Sequence, residues 1–464
     1  MTTKAAASSS RSASSGGELN SPGHGSAPGL MLVAALLGFF LITLDATAVT
    51  VALPAMGADL GGGLSGLQWV VDGYTLAFAA LMLSTGALSD RIGAGRAYGI
   101  GIALFTLASA ACGLAPGLGV LIGSRVVQGV AAAVMLPASL ALVRRAYGDP
   151  VERARAISLW AAGASLAVAL GPVAGGALTS AWSWRGIFFI NLPAGIAALV
   201  LLARAPRSER RPAPLDVPGQ VMAVVMLGSV TYAVIEGGVA GVVAGIVAVG
   251  ALIVFLVVES RQPHPVVPLS LFRNRTVAVA VAVGAANNVA FYGVIFVLSL
   301  FFQQVRGGSA LGAGLMFLPM TALIPVVNIA SGKLASRYGF RVPMLAGQLT
   351  TVAGLLVLLA VSASTPLLVV AALMMPLAVG VALTVPPLTA AMLDAVPEER
   401  AGLAAGVLNA GRQVAGGLAV AAFGALVAGS GGFASGMREA LVVSAGLLAL
   451  TSVATARLRV AGRG

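Results

Sequence analysis

The chain has 464 residues, of which 58% are hydrophobic and 9% charged, with a formal net charge of +12 and a mean hydropathy of +0.99. A soluble core cannot absorb that much apolar surface, whereas a bilayer crossing takes about 20 apolar residues, and such stretches follow one another almost end to end. The single cysteine, Cys112, lies in an apolar stretch and has no intrachain partner, which excludes a disulfide framework and a Cys-rich metal site.

Residues 1–29 are rich in Ser, Gly and Ala and read as a disordered cytoplasmic tail, without the short apolar core of a signal peptide. Hydrophobic runs then predict helices at 30–54, 67–88, 97–116, 119–143, 154–178, 185–204, 217–237, 240–258, 276–302, 310–332, 342–361, 366–392, 401–427 and 439–457. Fourteen spans is an even number, so both termini are expected on one side. Of the 27 Lys and Arg, only Arg185, Arg306 and Arg438 fall on the other side, and Arg125 and Arg412 fall within spans. The rest, including Arg91, Arg96, Arg144, Arg145, Arg207, Arg273, Arg337 and Arg341, share the side of the tails. By the positive-inside rule that side is cytoplasmic, and the basic balance requires no nucleic-acid partner.

Gly86-Ala87-Leu88-Ser89-Asp90-Arg91-Ile92-Gly93 leaves the second span, and Gly332-Lys333-Leu334-Ala335-Ser336-Arg337-Tyr338-Gly339 leaves the tenth. If the two are equivalent, the division is an amino-terminal six-helix bundle at 30–204, a linker with two inserted spans at 205–275, a carboxy-terminal six-helix bundle at 276–457 and a tail at 458–464. Repeated bundles with a site between them are the architecture of alternating access. Gly86, Asp90, Arg91, Gly93 and Arg96, with Gly332 and Arg337, are candidates for a cytoplasmic gate, although Asp-Arg after a span is also an ordinary turn.

Asp45, in Leu44-Asp45-Ala46-Thr47-Ala48-Val49-Thr50-Val51-Ala52-Leu53-Pro54, is a mid-span acid. Such a group is costly in the membrane and commonly functional, here in proton coupling or substrate contact, the alternative being an interhelical hydrogen bond. Arg125 in the fourth span lies at a depth from which it could reach Asp45, or it could instead satisfy backbone carbonyls. Gly163, Gly171, Pro172, Gly175 and Gly176 in the fifth span remove side chains and one backbone donor; the cluster reads as a deformable contact between moving halves. Trp69, Asp72, Tyr74, Gln128, Asn287, Asn288, Asn328 and Arg412 are further polar or amphipathic candidates for a substrate cavity, each with interhelical glue or interface anchoring as its bland reading. The few acids near such a cavity disfavour divalent cations as substrates, while Arg125 and Arg412 could meet an anion.

The two lysines, Lys4 and Lys333, stand outside any phosphate-binding Gly-x-x-x-x-Gly-Lys-Ser/Thr loop, and the histidines, His24 and His264, fall in a tail and a loop. ATP-driven transport and a buried histidine relay are therefore excluded. No cofactor is expected.

Gly86 to Arg96, Arg125 with Gln128 and Gly129, and Gly163 to Gly176 resemble signatures of the major facilitator superfamily, the last being its antiporter signature. Leu44 to Pro54, Trp184-Arg185 with Phe188 to Pro193, Leu271-Phe272-Arg273-Asn274, and Leu408-Asn409 with Arg412-Gln413 are similar to the fourteen-span drug:proton antiporters. Thr50 stands where that subfamily usually has Asn, and Ser336 where the second gate repeat would have an acid. Trp69 to Tyr74 and Leu318-Pro319-Met320 with Val327-Asn328-Ile329 resemble methylenomycin-resistance-type exporters.

The resemblance implies an all-α integral membrane protein of the major facilitator fold, with two six-helix bundles plus two inserted helices. It further implies a multi-pass inner-membrane antiporter, not an enzyme, that exports small lipophilic drugs or antibiotics in exchange for protons; a monomer is expected. Asp45 and Arg125 would form the coupling pair, Asp90 and Arg91 part of the inner gate, and the fifth-span glycines the hinge. A carrier of one narrow metabolite, or a receptor or scaffold without flux, are the alternatives.

Overall fold

The structure, a computed structural model, describes residues 27–203, 216–263, 265, 267–397, 400–429 and 431–458. The tails expected at 1–29 and 458–464 thus fall almost wholly outside the described residues, as do His264 and the side chain of Asp90. Among the described residues the chain is helical throughout, with no strand. The long helices are α1 (Ala27–Leu60), α2 (Gly63–Ile92), α3 (Ala94–Gly113), α4 (Leu118–Ala146) and α5 (Pro150–Ala181). α6 (Gly186–Ala203) is broken at Ile190. There follow α7 (Val217–Glu236), α8 (Gly238–Arg261), α9 (Arg275–Val305), α10 (Ala310–Tyr338), α11 (Arg341–Leu358), α12 (Leu367–Asp394), α13 (Ala401–Ala428) and α14 (Phe433–Ala456). Thirteen of these are long and apolar enough to cross a membrane; α2, at 30 residues, carries Asp72 and Arg91 and completes the set from within the bundle.

Several helices outrun the predicted spans. α1 continues past Pro54 to Leu60 and α5 runs 32 residues around Pro172. Proline interrupts a membrane helix less than a soluble one because neighbouring helices re-satisfy the freed carbonyl. Helix starts are fixed by polar caps in the loops. Asp149 accepts from the backbone N–H of Val151 (2.9 Å) and Glu152 (2.8 Å), with Pro150 beginning α5, and Asn274 caps Thr276 at 2.9 Å at the start of α9. α2 turns into α3 through one residue, Gly93, at φ 94°, and α10 ends at Gly339, at φ 76°. Only glycine adopts such angles freely, so the two sequence repeats end in the same local geometry.

The helices form two six-helix bundles, α1–α6 and α9–α14, with α7 and α8 inserted. The distribution of the core shows how the bundles meet. One apolar cluster, including Val49, Leu53, Val70, Phe188, Phe296, Phe317 and Phe423, runs through both bundles at the end opposite the termini, here called the far face. At the terminal face the core splits in two. One part, around Tyr98, Phe105 and Met135, belongs to α1–α4 and α6, and the other, around Val283, Met344 and Leu388, belongs to the carboxy-terminal bundle. The molecule is closed at the far face and parted at the terminal face.

Close backbone approach makes the closure. Side chains added at Gly171 or Gly175 would strike Thr47 or Ala48 of α1, and one added at Gly176 would strike Ala310 of α10. Across the far face Ser299 Oγ donates to the Thr50 carbonyl (3.1 Å) and Gln303 Nε2 to that of Val51 (2.8 Å). Gln68 Nε2 donates to the carbonyls of Val420 and Ala421. α7 is fastened to α2 near both its ends. Ser65 Oγ and Trp69 Nε1 donate to Glu236, each at 3.0 Å, and Gln220 Nε2 donates to the Ala80 carbonyl at 2.6 Å.

At Gly314 an added side chain would collide with the Pro172 carbonyl and lie 3.2 Å from Val173 Cα, both backbone groups that cannot swing away. Gly314→Val should therefore destabilise the folded protein by about 1–3 kcal/mol, seen as a lowered midpoint in thermal unfolding of purified protein. Gly245→Ala on α8, where an added carbon has nothing within 4 Å, should leave the midpoint unchanged or raise it.

Candidate functional site

Asp45 on α1 is 1% exposed and forms an ion pair with Arg125 on α4, itself 1% exposed. Arg125 Nη1 donates to Asp45 Oδ2 and to Gln128 Oε1 (2.8 Å), and its Nε donates to the Val70 carbonyl of α2 (3.0 Å). The guanidinium carbon lies 4.3 Å from the centre of the Tyr74 ring, a cation–π contact that strengthens when water is excluded. The second carboxylate oxygen, Asp45 Oδ1, accepts from Gln128 Nε2 (3.2 Å) and Asn191 Nδ2 (3.1 Å). Ser109 Oγ of α3 receives both amides, from Gln128 at 2.8 Å and from Asn191 at 3.2 Å.

Each partner is placed by helical geometry. Arg125 and Gln128 are three apart and present one face of α4. Asn191 stands just after the break in α6, where the chain turns it inward. Val70 and Tyr74, four apart on α2, bring a carbonyl and a ring to the same guanidinium. The sequence pattern points to Asp45, Arg125, Gln128 and Tyr74, whereas Asn191 and Ser109 were not singled out. The available signal for Asn191 was an amide inside the Phe188–Pro193 motif; for Ser109, a small hydroxyl in an apolar helix, there was none.

Beside this cluster lies a cavity of about 1270 Å³ between the bundles. Its deep wall carries Phe39, Phe78, Trp160, Phe291 and Tyr292, and its mouth Gly86, Ser89, Arg144, Asp216, Pro265 and Gly402. The mouth residues lie towards helix ends of the terminal face, with Pro265 in the loop after α8, so the cavity opens there. Phe39 and Trp160 stack with centroids 4.2 Å apart. Arg412 brings a positive charge to the wall and donates through Nε to Asn288 Oδ1 (3.2 Å), whose amide donates back to the Arg412 carbonyl (2.9 Å).

Of the residues expected in the cavity, Tyr74, Asn288, Asn328 and Arg412 line it, while Asp45, Trp69, Asp72, Arg125, Gln128 and Asn287 stand off its wall. The ion pair is separated from the cavity by Tyr74, which touches both and donates from its hydroxyl to the Ile42 carbonyl at 3.2 Å. Trp69 is held away at the α7 contact, and Asp72 and Asn287 are fully buried between helices. Of the gate candidates, Gly86 is at the mouth, Arg91, Arg96, Gly332 and Arg337 are exposed and do not line the cavity, and Gly93 is the α2–α3 turn. The α5 glycines sit at the α1 and α10 contacts of the far face, except Gly163, which abuts Leu36 nearer the mouth.

The profile of the Major Facilitator Superfamily matches residues 35–420. The chain belongs to this superfamily. Among its relatives, the multidrug resistance protein Stp of Mycobacterium tuberculosis is 41% identical over 82% of this chain and 73% of its own length. The methylenomycin A resistance protein of Streptomyces coelicolor is 39% identical, covering 83% of this chain and 82% of its own. The tetracenomycin C resistance and export protein of Streptomyces glaucescens is 31% identical over 81% of this chain and 71% of its own. Solved structures share the fold. A peptide transporter POT superposes with a TM-score of 0.68 at 17% identity over 92% of this chain and 94% of its own. A D-xylose-proton symporter superposes with a TM-score of 0.68 at 13% identity over 92% and 97%. This superfamily member is a multi-pass membrane transporter, not an enzyme.

Breaking a buried ion pair by deleting one partner leaves an uncompensated charge, a loss of about 3–5 kcal/mol. Arg125→Met should therefore lower the thermal midpoint far more than the double change Arg125→Met with Asp45→Asn, which removes both charges. Equal midpoints for the two variants would show that the charges do not compensate each other.

Proposed function

We propose that this superfamily member exports small, lipophilic antibiotics or drugs across the cytoplasmic membrane in exchange for protons, by alternating access between its two bundles. The observation that carries the reading is a sealed carboxylate–guanidinium pair directly behind an aromatic cavity that opens at the terminal face. The positive-inside distribution supports a cytoplasmic position for that face and for both termini. The resistance and export functions named for the relatives agree with it.

Substrate enters from the cytoplasm or inner leaflet and lies against Phe39, Trp160, Phe291 and Tyr292. Among the described residues the charges on the wall are Arg144, Asp216 and Arg412, with Arg412 deep and the other two at the mouth, so the cavity favours neutral or weakly acidic lipophiles over cations. Tyr74 relays occupancy to the pair behind it. After the bundles rock outward, a proton from outside neutralises Asp45, releasing Arg125 to Gln128, Val70 and the Tyr74 ring. Six residues along α1 from Asp45, the Val51 carbonyl receives the Gln303 bond that closes the far face, so a change at the pair is passed to the closure through one helix. A ligand shifts such an equilibrium only as far as its affinities for the two states differ, and Asp45 supplies that difference for the proton. The fifth-span glycines serve as the contact about which the bundles rock, and Arg91, with Asp90, as part of the inner gate. One chain contains the whole site, so a monomer suffices.

Cells or proteoliposomes carrying the wild type should export members of a panel of antibiotics and dyes when a proton gradient is imposed, and an uncoupler should stop the export. Asp45→Asn, correctly inserted, should lose gradient-driven export by about a hundredfold or more, the lower end of what a positioned proton-transfer group contributes. Absence of flux for every compound, or full gradient-driven flux in Asp45→Asn, would refute the reading.

A further inference from the structure

The mechanism above leaves the buried acid of α2 unused. Asp72 on α2 is 0% exposed, and neither of its carboxyl oxygens has a hydrogen-bond partner. It shares a face of α2 with Gln68 and Thr75, four residues before it and three after, and that face packs on α13 in the seam between the bundles. A side chain added at Gly417 would lie 3.4 Å from Asp72 Oδ1 and 3.2 Å from Thr75 Cγ2. One turn toward the far face, Gln68 bonds the Val420 and Ala421 carbonyls and abuts Gly424. One turn the other way, Thr75 and Gly416 line the cavity. Asp72 therefore sits between the roof of the cavity and the outermost closure of the α2–α13 seam.

Among the described residues, the charged and titratable groups on the near stretches of the helices around it are committed elsewhere. On α13 the charged side chain is Arg412, bonded to Asn288. Tyr292 of α9 lines the cavity. On α4, Arg125 is held by Asp45, Gln128 and Val70, and on α2 itself Tyr74 bonds the Ile42 carbonyl. Asp45 on α1 is spent on that same pair. On α7, Glu236 receives Ser65 and Trp69, and Tyr232 lies beside the Trp69 ring. None supplies a counter-charge to Asp72. A carboxylate cannot be taken into a dry seam without one; the group neutralises instead.

We propose that Asp72 is a proton-operated latch of the far face, protonated while α2 and α13 are closed and ionised when they part and water reaches it. Closure after export then requires a proton taken up at Asp72 from the far side, separately from the proton at Asp45. The latch rests on the alternating-access reading but on neither the substrate nor the role of Asp45. Asp72 acts through the seam and touches no substrate; it is a positioning residue.

The test reads conformation without flux. Spin labels at Leu64→Cys on α2 and Ala428→Cys on α13, in a Cys112→Ala background, report the width of the far face in reconstituted protein as pH is varied. With Asp72 intact the separation should lengthen as pH rises. Asp72→Asn should hold the short distance at every pH, and Asp72→Glu should restore the dependence with a displaced midpoint. Asp45→Asn should keep a pH dependence of the separation, because the Asp72 carboxyl is still present, with its midpoint free to move through the α1 contacts at Thr50 and Val51. No pH dependence with Asp72 intact, an intact-type profile in Asp72→Asn, or loss of the profile in Asp45→Asn would each overturn the latch. Should Asp72→Asn fail to insert, Asp72→Glu decides alone, since an unmoved midpoint also overturns it. Because no substrate is present, failure here leaves the export reading standing, and failure of export leaves the latch standing.

Discussion

Asp45 and Arg125 attract each other without water between them, and the surrounding helices must satisfy what their mutual charge leaves over. The pair draws on Asp45 of α1, Val70 of α2, Ser109 of α3, Arg125 and Gln128 of α4 and Asn191 of α6. In a low-dielectric interior an incompletely satisfied polar network costs more than none, so these helices are bound to one arrangement. That constraint makes the amino-terminal bundle a single body, and it makes protonation of one carboxyl a change felt by several helices at once. α1 carries the change, because the same helix accepts the Ser299 and Gln303 bonds at Thr50 and Val51.

The asymmetry of the core follows. At the far face the apolar side chains of both bundles form one cluster, with backbones brought together where glycine stands on α5 against α1 and α10. At the terminal face each bundle keeps its own core and the space between is the cavity. The inserted helices attach to one side of this arrangement. α7 is hydrogen-bonded to α2 through Glu236 and Gln220 and packs Leu227 against Leu76 and Ala80, so it is fastened to the helix that carries Asp72 and Tyr74. α8 packs on α7 and turns Val242, Ile246, Val249 and Ile253 outward, as a helix bordering lipid does.

Much of this was legible in the sequence. Hydropathy, the even number of spans and the repeated Gly86 and Gly332 segments define the architecture, and an acid and an arginine at matching depth in apolar helices point to each other because each is too costly alone. What was not legible depends on rotation about helix axes. Asp72 and Tyr74 are two residues apart and read as companions in a cavity, yet only Tyr74 faces it, while Asp72 is turned into the α13 seam. Asn191 gains its place from a break in α6 that composition does not reveal. The end of the first span was misjudged where proline was given its soluble weight, at Pro54.

As proposed, the buried pair links proton movement to substrate movement. The most direct test of that link uses proteoliposomes with no imposed pH gradient, in which a gradient of an exported compound is the only driving force and internal pH is followed with a trapped dye. The account predicts proton movement opposite to the compound with Asp45 intact, and compound movement without protons in Asp45→Asn. Proton movement in Asp45→Asn at the ratio seen with Asp45 intact would contradict it.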